Sequence, residues 1–207
     1  MFKSLRGNII KYESDTEFRD IMDILSKRFD NMLSDYDITD LHDPYLLNDM
    51  DKAIDRIKIA VNEKQRIVVF WDYDVDWVTS TSILVHFFKK IWAQISYRLP
   101  HRVQDWYWMK KYFIDELKPL DVKLIITVDC WTKDIDVIKY AKENGIDIIV
   151  TDHHAVPDVI PKEAIAIINP KRKDCNYPFK HLAWAWVSYK LMMALAKEYF
   201  SDEEYLK

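Results

Sequence analysis

Glycine is almost missing from this chain: 2 of 207 residues, about 1% against a usual ~7%. Cysteine is as scarce. Cys130 and Cys175 stand in no metal-like spacing, which excludes a disulfide scaffold and fits a reducing cytoplasm. Basic residues are not in excess; 30 Lys and Arg against 34 Asp and Glu leave a net charge of −4. There is thus no global signal for nucleic acid or membrane, although a local basic groove remains compatible with that balance. No apolar run reaches the ~18 residues of a membrane span, and Met1–Arg6 lacks the apolar stretch of a signal peptide. Repeats and low-complexity segments are absent as well. A soluble, cytoplasmic protein with no membrane association is the expectation.

What the chain does have is an apolar content of 49%, ample for a core, and a change of grammar near residue 63. Residues 1–62 read as a charged helical lead-in. Phe18, Ile21, Met22, Leu25 and Phe29 recur at helical spacing over 15–33, as do Met50, Ile54, Ile57 and Val61 over 49–61. From residue 63 to 207, short Val/Ile-rich runs alternate with helices. Strands are predicted at 66–70, 94–99, 123–128, 147–150 and 164–168, and helices at 78–91, 110–117 and 133–144, with a last helix near 187–200. This pattern predicts an α/β fold: an open, mainly parallel five-stranded sheet with helices on both faces, preceded by a helical N-terminal segment. Gly145 falls where the third of these helices ends.

Functional residues of open parallel sheets gather beyond the carboxyl ends of the strands. Here those ends deliver Asp72, Asp74 and Asp76, then His101-Arg102, then Asp129, then Asp152-His153-His154. Alternate residues of an extended chain share a face, so the three acids after Phe70 are held close, and like charges that close call for a cation. The plainer alternative is a solvated turn in which Asp76 caps the helix from Val78. A lone Asp129 is as often a cap for the next helix, and an isolated His-His pair is as often a surface loop. Company decides: acids and imidazoles from four strand ends meet at one sheet edge.

These residues resemble the DHH phosphoesterases, and within them the RecJ-type single-strand exonucleases. The resemblance is carried by Asp72-Tyr73-Asp74-Val75-Asp76, Val128-Asp129-Cys130 and Asp152-His153-His154. It extends over nearly the whole chain through 43–53, 100–109, Asn169-Pro170-Lys171 and Tyr177-Pro178-Phe179. It implies two divalent cations, Mn²⁺ or Mg²⁺, with Asp74 and Asp76 ligating one metal each, Asp129 bridging them and Asp72 an additional ligand. By the same resemblance His153 ligates the second metal, His154 meets the substrate phosphate or assists the chemistry, and Arg102 meets the nucleic-acid backbone. The implied activity is 5′-to-3′ hydrolysis of single-stranded DNA in repair and recombination, with single-strand-binding protein and a helicase as partners. Other enzymes of the family, acting on nanoRNA or cyclic dinucleotides, are the alternative. A non-catalytic replication scaffold of the same fold is a second.

Two departures stand out. Trp71, Trp77, Trp106, Trp108, Trp131, Trp184 and Trp186 occupy positions where the family pattern has glycine, and Trp92 one where glycine is common. The economical explanation is a UGA codon that the source reads as glycine. Tryptophans acting as base-stacking platforms are the rival. The resemblance also implies a further metal-ligating aspartate, a C-terminal lobe and an oligonucleotide-binding domain beyond Lys207, so this sequence is expected to be an N-terminal fragment, inactive alone.

Overall fold

The structure is a computed structural model, and it describes residues 2–3, 9–10, 41–71, 75–98, 110–129 and 133–201. The chain divides into two compact units, 1–41 and 42–207. In the first, β1 (Phe2–Lys3) pairs antiparallel with β2 (Ile9–Ile10), Phe2 facing Ile10. The opening of the lead-in is therefore extended where the sequence reads as helix. The helix expected over 15–33 lies outside the described residues.

The second unit begins at His42, ahead of the change in sequence pattern at 62/63. A single turn of 3-10 helix, Pro44–Leu46, leads into α1 (Met50–Asn62). The apolar stripe of α1, from Met50 through Ile57 to Ala60, is buried in the same core as the sheet. Burial of a helix face this apolar outweighs the sequence's switch in periodicity. The order then runs β3 (Arg66–Trp71), α2 (Val75–Lys90), β4 (Ile95–Arg98), α3 (Lys111–Leu117), β5 (Val122–Val128) and α4 (Ile135–Glu143). It finishes with β6 (Asp147–Thr151), β7 (Ala166–Ile168) and α5 (Trp184–Tyr199).

The five strands β3 to β7 form one sheet in the order β4-β3-β5-β6-β7, every pair parallel. Alternation along the strands feeds two cores. Ile67, Val69, Leu124, Ile126 and Ile149 point to one face, covered by α1, α2 and α5. Val68, Phe70, Ile125, Ile148 and Val150 point to the other, covered by α3 and α4. A register shift between Arg66 and Ile67 pairs them with Val122 and Leu124, leaving Lys123 as the extra residue. The expected open parallel five-stranded sheet with helices on both faces is what forms.

Two helices start earlier than the sequence suggests. α2 begins at Val75, which places Asp76 in its first turn instead of at the N-cap and takes Trp77 inside the helix. α5 begins at Trp184, three residues before Val187, with Ala183 as its extended N-cap and Ala185, a strong helix former, in its first turn.

Candidate metal centre

The strand order reverses at β3: the chain goes from β3 to β4 on one side, then crosses to β5 on the other. Open α/β sheets bind ligands at this switch point, beyond the carboxyl ends of the two strands. Asp129 is the first residue past β5, beside the end of β3. Its N–H donates to the Thr151 carbonyl at 3.3 Å, prolonging the β5–β6 ladder. Its φ is +58°, a left-handed conformation that aspartate tolerates better than most residues. Strained backbone of this kind concentrates at functional sites. The side chain is 8% exposed.

One strand further on, β6 ends in Asp152-His153-His154. Asp152 is 1% exposed, and its N–H donates to the Ile168 carbonyl at 3.0 Å. One carboxylate oxygen, Oδ1, accepts from the backbone N–H of His153 at 2.7 Å, from that of His154 at 3.0 Å and from His154 Nδ1 at 2.9 Å. Asp152 thus folds the loop around itself and turns the second histidine. His154 Nδ1 also lies 3.3 Å from Asp129 Oδ1. Because both neighbours are carboxylate oxygens, Nδ1 carries the proton and Nε2 the lone pair.

His153 is fixed differently. Its Nδ1 lies 3.0 Å from the Leu182 carbonyl, which can only accept, so this imidazole too holds its proton on Nδ1 and its lone pair on Nε2. Its ring stacks on Trp184 with centroids 5.2 Å apart and planes 8° apart, and stands at 78° to the His154 ring. Asn169, fully buried at the end of β7, donates from Nδ2 to the His154 carbonyl at 3.0 Å and accepts the Lys171 N–H at 2.8 Å. It ties the two loops together.

The result is that one ligand atom from each of Asp129, His153 and His154 falls within 4.8 Å of the others. A carboxylate and two imidazoles, partly buried and preset in tautomer, fit a divalent transition ion better than an all-oxygen magnesium site. Asp72, Asp74 and Arg102 lie outside the described residues. Asp76 is placed only as a backbone position in α2. Reading the sequence missed Asp152 as the organiser, Asn169 as the clamp and the Leu182 carbonyl. Asp152 carried a signal as the first residue of the strand-end motif, though not of its role, and Asn169 as an Asn-Pro pair at a strand end that can form an Asx turn; the Leu182 carbonyl carried none.

The DHH family, N-terminal domain, matches residues 66–207. The chain belongs to the DHH family. Its DHH relatives include the single-stranded-DNA-specific exonuclease RecJ of Bacillus subtilis (strain 168), 40% identical over 159 residues that cover 77% of this chain and 20% of that protein. A crystal structure of exonuclease RecJ bound to manganese superposes with a TM-score of 0.68 at 28% identity, covering 77% of this chain and 40% of that one. RecJ in complex with Mn²⁺ from Thermus thermophilus gives 0.62 at 26%, over 77% and 22%. This DHH chain spans about a fifth of the length of the Bacillus relative. Among the described residues no helix is long and apolar enough to cross a membrane.

Proposed function

We propose that this chain carries the metal-binding DHH domain of a nuclease that hydrolyses phosphodiesters of single-stranded DNA, 5′ to 3′, in repair and recombination. The observation that carries this reading is the convergence of Asp129, His153 and His154 at the switch point of the sheet. Asp129 and His153, with Asp74 and Asp76 from the β3 end and Asp72 as an additional ligand, would hold two divalent cations, Mn²⁺ or Mg²⁺. Bound there, the cations would supply Lewis-acid stabilisation of charge on the scissile phosphate and its leaving oxygen.

The chain's own groups prepare that site. Asp152 and the Leu182 carbonyl hold a proton on Nδ1 of each histidine, so each presents Nε2. His154, a third exposed, is the one turned by two carboxylates, and it suits contact with a substrate phosphate. Arg102 would fork onto the DNA backbone. The manganese-bound RecJ structures and the exonuclease relatives support the assignment of metal and substrate class. Single-strand-binding protein and a helicase are the proposed partners.

Calorimetric titration with Mn²⁺, paired with hydrolysis of single-stranded against duplex DNA, tests this. Asp129→Ala is expected to keep the circular dichroism of the parent and lose Mn²⁺ binding. Binding at parental affinity in that variant would remove Asp129 from the metal site and with it the two-metal reading.

A further inference from the structure

The loop after His154 and the turn after β7 enclose a cavity of about 420 Å³ beyond the carboxyl ends of β6 and β7. Ala155, the residue next to His154, begins its lining. One wall is apolar: Val156, Pro157 and Ile160, each only half-buried. The rest of the lining is the basic run Lys171-Arg172-Lys173 with two acids, Asp158 and Asp174. In a chain of net charge −4, three consecutive cations facing a cavity beside the metal centre are a local exception.

The three cations are not equivalent. Arg172 is buried and heavily engaged: it donates to Asp49, to both carboxylate oxygens of Asp174 (3.0 and 2.7 Å) and to the Ile167 carbonyl at 2.8 Å. With four of its five N–H donors engaged, it fixes the wall and is not the group most free to meet a ligand. Lys173 pairs with Asp158 across the mouth at 3.1 Å, but these side chains are 89% and 92% exposed. A pair so exposed contributes little and exchanges readily for another anion. Lys171 enters no ion pair among the described residues, while its backbone N–H is anchored by Asn169, the residue that also holds the His154 carbonyl. Two available ammonium groups on a fixed turn, in a cavity with a half-exposed apolar wall, match a charged group joined to a flat apolar one. The volume lies within the range of small-ligand sites.

We propose that this cavity is a nucleotide subsite: it takes one nucleotide of the single strand next to the scissile phosphate, with that nucleotide's phosphate against Lys171 and Lys173 and its base against Val156, Pro157 and Ile160. The assignment presupposes that the chain acts on single-stranded DNA, as proposed. It separates recognition from chemistry, since none of these groups belongs to the metal centre.

The test is amide chemical-shift mapping of the full 207-residue chain with a short 5′-phosphorylated oligothymidylate in EDTA, together with the salt dependence of its dissociation constant. Shifts are expected over 155–160 and 171–174. In Lys171→Ala and Lys173→Ala the salt slope should shrink by ~0.7 for each lost phosphate contact. Asp158→Asn, which releases Lys173 at an exposed position, should tighten binding. Shifts confined to the surroundings of Asp129, His153 and His154, with both lysine variants binding like the parent, would overturn the subsite and leave the nuclease reading standing. Inorganic phosphate reproducing the whole shift pattern, Val156 and Ile160 included, would reduce the occupant to a free anion and overturn the nucleotide assignment. No binding of the oligothymidylate anywhere would likewise overturn the subsite.

Discussion

Lys64, Trp92 and Gly145 end three helices in one way. Each has a positive φ of 53°, 59° or 75°, and each donates to the carbonyl three residues back, at 3.1 Å in every case. The next residue, Gln65, Ala93 or Ile146, donates to the carbonyl five residues back. This is the Schellman arrangement, whose left-handed residue is preferably glycine. At 145 the chain has glycine; at 92 it has an indole, 92% exposed. Trp92→Gly should therefore stabilise the protein by about 1 kcal/mol, since the left-handed penalty disappears and almost no packing is lost. That corresponds to a melting temperature higher by about 2–4 °C, read by calorimetry. A lower melting temperature would show that the indole is preferred there. The same position should carry a UGA codon if the source reads UGA as glycine. Trp184 is the contrasting case. Its ring fits into the core, and its indole N–H is buried with no hydrogen-bond partner among the described residues. Sequence could mark both positions as odd, but not which would strain the backbone and which would leave a donor unpaired. That depends on φ and on neighbours distant in the chain.

At the scale of elements, one carboxylate joins three of them. Asp147, at the start of β6, accepts Arg56 Nε of α1 at 2.6 Å and Lys142 Nζ of α4 at 2.8 Å. Arg56 also donates to the Lys123 carbonyl of β5 at 3.2 Å. The two cations differ in burial, 11% against 50% exposed, and burial decides their worth. Arg56→Ala should cost about 2 kcal/mol in urea unfolding, because it strips a half-buried acid and a strand carbonyl of their donor. Lys142→Ala should cost no more than about 0.5 kcal/mol. Equal losses would mean that the α1 contact is no more than a surface pair. None of these contacts was visible in the sequence, where the helix of α1 could be read but not its partners. The sheet was visible because buried parallel strands are runs of Ile and Val, and so was the gathering of Asp129, His153 and His154, since strand ends share an edge. The bulge at Lys123 was not, as no glycine or proline marks it.

At the scale of the whole molecule, acid should unfold this protein through a few identifiable carboxylates. The Asp174 carboxyl is held at about 2, chiefly by its hydrogen bond with Arg172. For Asp49, burial pushes the carboxyl up, but Lys52 and Arg172 together outweigh it and hold it low. Asp147 is likewise held low by Lys142 and Arg56 against its burial. Carboxyls that bind protons less readily when folded contribute stability above their unfolded value, about 4. They lose it as pH falls through the folded value. The melting temperature should thus drop between about pH 4 and pH 2. Arg172→Ala, which frees Asp49 and Asp174 together, should flatten that drop as well as lower the plateau. An acid limb of unchanged steepness in this variant would show that the Arg172 network has no part in it.

The two faces of the sheet also finish at different moments of synthesis. Everything that covers the face of α3 and α4 has been made once β7 has appeared. The other face needs α1, made early, α2, and α5, the last of the three to be made, which packs against both. A growing chain can therefore close one side while Ile67, Leu124 and Ile126 still lie open on the other, waiting for Val187, Leu191 and Leu195. For that interval the half-built sheet is a sticky surface, and its protection falls to the ribosome's surroundings and to chaperones.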